Sequence, residues 1–199
     1  MRLKVIMVRI EFPFDSEKTR EALAYLASRS PTGRDKYILC KLLFLADKYH
    51  LVRYGRTITG DRYFALEHGP APNRVLNQLN MFIDEPESIP SLASLFKVDR
   101  SFRYPRMLLV QQTDFDNLSK SDIEALDATL ERYGSKEFPE LRALTHEMVA
   151  YQRAWAARRR KKSVPMDFED FFEEDPDAIA GVLEEAIEDS KLRKAFPGR

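Results

Sequence analysis

At 199 residues, 44% apolar and 32% charged, the chain has the length of one domain whose core needs neither disulfide nor metal, and its single Cys40, which can close no internal bridge, points to a reducing cytoplasm. Formal net charge is zero, yet residues 1–165 hold 28 Lys and Arg against 21 Asp and Glu while residues 166–199 hold 4 against 11, an asymmetry that bears on partners more than on fold. Charges interrupt the apolar N-terminus and no apolar run approaches the ~20 residues that span a bilayer, which sets aside secreted mini-protein, collagen-like, disordered and membrane-spanning classes.

In chain order, alternation at Leu3, Val5 and Met7, continued at Arg9 and Ile10, predicts a short strand ending near Pro13. A helix then opens at Asp15 or Ser16 and runs through Leu23 and Leu26 to about Arg29. The strongest helical pattern lies between Asp35 and Tyr54, where Ile38, Leu39, Leu42, Leu43, Ala46 and Tyr49 recur at helical spacing and Cys40, Phe44 and Leu51 fall on another side. Apolar on more than one face, this helix is expected at the centre of the fold, with Gly55 ending it. Residues 56–67 read as a short hairpin or tight loop around Gly60 and Asp61, stopped by residues 68–72. A third helix carries Val75, Leu76, Leu79, Phe82 and Ile83, residues 84–105 form a long connection, and residues 107–110 form a strand.

Ser119 with Asp122 three residues on predicts a capped helix start, with Ile123, Leu126, Leu130 and Tyr133 on the buried face and Gly134 at the end. A short helix over 137–144 follows, then one capped by Thr145 and running through Trp155, and a last helix from Asp175 and Pro176 to about residue 195. The whole predicts an α+β fold, mostly helical, with a small antiparallel sheet or β-hairpin: a body over residues 1–165 and an acidic helical extension over 166–199.

The residues suited to chemistry form no catalytic set. His146-Glu147 begins like a zinc-binding helix, but Ala150 stands where the second His is required. His50 and His68 have no ligand at metal spacing, no phosphate loop is present, and Cys40 reads as a buried, inert thiol. No cofactor or metal is expected. Tyr54, Arg56, Asp61 and Arg62 admit two readings: Tyr54 and Arg56 as contact anchors for a partner, or Arg56 paired with Asp61 across the turn. The cations Arg158, Arg159, Arg160, Lys161 and Lys162, with Arg153 one turn earlier, are a phosphate-binding patch, a solvated helix end or a seat for the acidic tail. In that tail Phe168, Phe171 and Phe172 alternate with acids and either dock on the body, the favoured reading, or bind or mask a basic surface on a partner.

Taken together, the run KLLFLADKYH over 41–50, YGRTITGD over 54–61, Ala65, Gly69-Pro70, LSKSDIEAL over 118–126 and LRALTH over 141–146, before Trp155, resemble the Panacea domain of SocA-like antitoxins in prokaryotic toxin–antitoxin systems. The resemblance covers about residues 15–165. It implies a binding function without turnover: an antitoxin that occludes a cognate toxin, encoded beside it, by direct stoichiometric contact. Because the resemblance is dense there, the surface of Tyr54, Arg56, Asp61 and Arg62 together with His68, Gly69 and Pro70 is the expected partner contact. The alternative is a DNA-binding regulator or phage-related interaction protein using the 158–162 cluster. Nucleic acid is the less favoured partner, and no membrane is expected.

Overall fold

The computed structural model describes residues 9–111, 113–173 and 175–196. Helix α1 (Ser16–Ser28) starts where the Asp15 side chain accepts from the Lys18 N–H. After a two-residue strand β1 (Arg34–Asp35), helix α2 (Lys36–Tyr54) is capped by the Asp35 carboxylate, which accepts from the N–H groups of Tyr37 and Ile38, and is closed by Gly55 in the left-handed region at φ 72°. The apolar residues on several sides of α2 do place it at the centre. Leu39, Leu42, Leu43, Phe44, Leu51 and Val52 are all fully enclosed.

Strands β2 (Tyr63–Leu66) and β3 (Gly69–Pro72) form a hairpin that turns at residues 67–68, so the expected turn at Gly60-Asp61 is displaced by a whole strand and the segment read as a stop is itself a strand. Two prolines are tolerated because β3 is an edge strand. The Asn73 N–H bonds Arg62 O at 2.9 Å, and this phases the ladder so that Pro70 and Pro72 sit where the backbone nitrogen faces away from β2. On the other side of β2 lies β6 (Ser163–Pro165), which the sequence reading did not anticipate.

Helix α3 (Asn73–Asp84) buries Val75, Leu79, Phe82 and Ile83. The long connection after it contains a 3-10 turn (Pro86–Ser88), helix α4 (Pro90–Ala93) and an unforeseen strand β4 (Phe96–Asp99), which pairs with β5 (Arg106–Leu109); β5 also pairs with β1. Helix α5 (Lys120–Tyr133) has the expected capping box of Ser119 and Asp122. Its buried ridge, however, is Asp122, Ala125, Leu126 and Thr129, with Ile123, Leu130 and Tyr133 only half-buried. A carboxylate claims the inward position, which a count of apolar residues does not reveal. Ser119→Ala should lower stability by about 1 kcal/mol, read as a shifted urea midpoint at unchanged slope.

Helix α6 (Phe138–His146) contains Thr145, whose hydroxyl donates to Leu141 O at 2.8 Å, and Met148 rather than Thr145 precedes helix α7 (Val149–Ala156). A 3-10 turn (Phe168–Phe171) follows β6, and helix α8 (Val182–Ala195) starts after Gly181, later than expected. The strand expected over Leu3 to Met7 lies outside the described residues. The adjoining residues pair with the tail instead: the Ile10 N–H donates to Glu169 and the Glu11 N–H to Ser190. Among the described residues no helix is long and apolar enough to cross a membrane.

Candidate functional site

The loop between α2 and β2 is folded onto two buried carboxylates. Asp47, enclosed within α2, accepts from the N–H of Ile58 at 2.7 Å, the N–H of Thr59 at 3.1 Å, the Thr59 hydroxyl and the Tyr63 hydroxyl at 2.7 Å. Burial pushes its carboxyl upward, against these four hydrogen bonds. Asp61 accepts from the N–H groups of Arg62 at 2.8 Å, Arg74 at 3.1 Å and Val75 at 2.9 Å. It therefore caps α3 from a distance, a task Pro72 at the helix start leaves undone. Burial raises the Asp61 carboxyl too, and those N–H bonds oppose the rise.

Arg56 does not pair with Asp61. Its guanidinium reaches Asp122, with NH1 at 2.9 Å from Oδ1. The Asp122 side chain is fully enclosed and also receives Lys18 Nζ at 2.8 Å, the Ser119 N–H at 2.9 Å and His50 Nε2 at 3.1 Å. His50 is itself buried, and its Nδ1 donates to Arg56 O at 2.7 Å. Burial alone would raise the Asp122 carboxyl. Hydrogen bonds from His50, Lys18 and Ser119, with the charge of Arg56, outweigh it and hold the group far below the usual carboxylate range. One carboxylate thus ties α1, α2, the following loop and α5 together.

The seven candidate contact residues fall in separate places. Tyr54, 39% exposed, packs tilted against the His50 ring at 4.8 Å and donates to Glu124 at 2.7 Å, at the C-terminal end of α2. Arg62 is exposed, 3.8 Å from Glu11. His68 is exposed on the hairpin, whereas Gly69 and Pro70 are buried against the first half of α2. The thirteen residue steps along α2 from Lys41 to Tyr54 put roughly 20 Å between these two ends. Lys41 and Thr145 are not among the candidate contacts, yet a Cβ at Gly69 would lie 2.5 Å from Lys41 Nζ and 3.0 Å from Thr145 Oγ1. Only the oddity of a Lys in an apolar stripe marked the first of them.

The tail docks on Arg153, one of the six candidate cations, and on Lys48 and Arg132, which lie outside that patch. Arg153 binds Asp170 at 2.7 Å and Glu173 at 2.7 Å, Lys48 pairs with Asp175, and Arg132 pairs with Asp177. Burial pulls the Lys48 ammonium down to about 8. Phe168 and Phe171 are buried in the main core and Phe172 packs against it. Arg158 lies over the Trp155 ring at 4.0 Å. Residues 159–162 are exposed and form no ion pair among the described residues. Cys40 is buried and its thiol is pushed up to about 12 by that burial. Among the described residues no group of three or more His, Cys, Asp or Glu is placed to hold a metal ion.

The family model of the antitoxin SocA-like, Panacea domain matches residues 39–152, more than half of the chain. That stretch runs from within α2 into the first half of α7 and contains Asp47, Asp61, Asp122 and the hairpin. No curated protein and no solved structure matches the chain.

Proposed function

The chain belongs to the family of SocA-like antitoxins with a Panacea domain, and from that membership we propose that it neutralises a cognate toxin by direct, stoichiometric contact, without turnover. The match over residues 39–152 is the observation that carries this reading. The toxin is the product of an adjacent gene, and both act in the cytoplasm. Of the candidate contacts, Tyr54, Arg62 and His68 present exposed side chains, while Arg56, Asp61, Gly69 and Pro70 set the shape of the surface from beneath.

The test is rescue of cells from the product of the neighbouring reading frame, with pull-down of the purified pair. Tyr54→Ala and His68→Ala should each weaken toxin binding by about 2 kcal/mol, roughly 30-fold, while leaving the unfolding midpoint nearly in place. Wild-type rescue and affinity in both variants would move the contact elsewhere on the molecule.

The exposed cations at 159–162, unpaired among the described residues, favour a second reading as a nucleic-acid contact. Duplex binding whose logarithm falls steeply and linearly with the logarithm of salt concentration identifies that reading, and toxin rescue does not depend on it.

A further inference from the structure

A cleft of about 250 Å³ lies between the β2–β3 hairpin and the first half of α2, walled by Tyr37, Leu66, Ala71, Leu76 and Phe138, with Lys41 in its lining. Its wall is largely aromatic and aliphatic. Phe138 packs on Tyr37 at 5.3 Å and meets the His68 ring edge-on at 6.3 Å. Lys41 differs from the rest. It is only 3% exposed, and its ammonium makes one hydrogen bond, to Pro70 O at 2.7 Å.

An ammonium carries three N–H donors, and this one uses one of them. No carboxylate pairs with it among the described residues; of its titratable neighbours, the Cys40 thiol is neutral and Arg142 repels it. A buried cation without a counter-charge costs several kcal/mol, and buried polar groups are otherwise nearly always satisfied. Few polar groups converging in an apolar recess are the usual build of a small-ligand site.

We propose that this cleft binds a carboxylate carried on a compact apolar body, the carboxylate meeting Lys41 and the body lying against Phe138, Tyr37 and Leu76. A monoanion suits it better than a phosphate: the one buried cation balances one charge, and at the rim Glu67 and Lys162 offset each other. The carboxylate comes either from a free acid or from the C-terminus of a peptide ending in an apolar residue. This site is independent of the toxin reading, and its test uses no toxin.

The experiment titrates the full chain with phenylacetate, with phenylacetamide as the neutral isostere, and with the tripeptide acetyl-Gly-Gly-Phe and its C-terminal amide. Calorimetry gives affinity and thermal unfolding gives the accompanying stabilisation. Phenylacetate should bind at least about tenfold more tightly than phenylacetamide, and Lys41→Met should erase that preference. Binding of the free acid assigns the site to small molecules, and binding of the tripeptide acid alone assigns it to a chain terminus.

Burial, and then the repulsion of Arg142, pulls the Lys41 ammonium down to about 7, so phenylacetate affinity should fall by up to about tenfold per pH unit above that point. The other titratable groups facing it are Tyr37, Cys40, His68, His146, Glu67 and Lys162. Cys40 is pushed up to about 12 and His146 is held low by burial. Equal affinity for phenylacetate and phenylacetamide overturns the proposal, as does no binding of either acid up to about 10 mM. Wild-type affinity for phenylacetate in folded Lys41→Met does so too. The comparison of acid with amide needs no variant, and it decides the matter even where Lys41→Met fails to fold.

Discussion

Asp122→Ala is expected to remove about 3–5 kcal/mol of folding stability, the usual penalty for taking one partner out of a buried charge cluster. The variant leaves Lys18, His50 and Arg56 around an empty site. His50 is wholly enclosed and keeps only the Ser121 hydroxyl, 3.0 Å from its Nε2, whereas the Arg56 side chain, 34% exposed, has water to turn to. Arg56→Ala should therefore cost less than Asp122→Ala, by 1 kcal/mol or more on an order-of-magnitude scale. The pH dependence carries the same signature. The Asp122 carboxyl is held below its unfolded value of about 3.9, so its contribution is fully present above that pH and disappears as pH falls through the folded-state value.

Asp47 and Asp61 work the other way, because burial raises them. Their contribution is greatest below the unfolded value and is lost as pH rises through the folded one. Urea unfolding of wild type and Asp122→Asn from pH 7 down to about pH 3 separates the two. The acid-side loss of stability should be smaller in Asp122→Asn than in wild type. An Asp122→Ala chain that unfolds within about 1 kcal/mol of wild type would show that the cluster holds nothing together.

Helices were legible wherever a local signal closed them. Asp15 caps α1, Asp35 and Gly55 bracket α2, and the Ser119–Asp122 box opens α5, each within a few residues of its partner. The hairpin was not, because Gly60-Asp61 is turn chemistry serving another purpose. Gly60 sits at φ 68° where a Cβ would lie 1.9 Å from Pro13 O, and Asp61 turns to the N–H groups of α3. Strands β4 and β6 are four and three residues long, too short for alternation to stand out beside the prolines around them.

The candidate site was legible by position more than by role. Arg56 is a residue type that anchors interfaces, and the sequence offered Asp61 across the turn as its partner. The partners they take are Asp122 on α5 and the start of α3, contacts that exist only after α2, α3 and α5 have packed. Lys41 shows the same limit. One Lys inside an apolar helix reads as a surface residue, and only the return of Pro70 across it makes it a buried cation beside a cleft.

Ending the chain after Pro165 should leave it unfolded. The cut removes Met166, Phe168 and Phe171, at 7%, 5% and 0% exposure. Phe171 packs edge-on against Phe44 at 5.5 Å and tilted against Tyr63 at 6.2 Å, and Phe168 meets Phe12 at 5.5 Å. Truncating one buried Phe to Ala costs about 3–5 kcal/mol, and a domain holds about 5–15 in total, so losing two with Met166 consumes most of it. A cut after Ile179 is the control. It keeps those rings, the Lys48–Asp175 and Arg132–Asp177 pairs and the bond from the Ile179 N–H to Val52 O, and loses α8 with buried Val182, Ala186 and Ser190, the last with its bond from the Glu11 N–H. That chain should fold, less stably, and bind duplex DNA no more tightly than the full chain, because the tail acids do not cover residues 159–162. Circular dichroism and urea titration of the two truncations decide it. A cooperative transition in the 1–165 chain would make residues 166–199 an appended extension, whereas its absence extends the folding unit past the matched stretch that ends at residue 152, at least to Phe171. In that case a fragment cut to the match alone would lose toxin rescue by unfolding, with every contact residue still in its sequence.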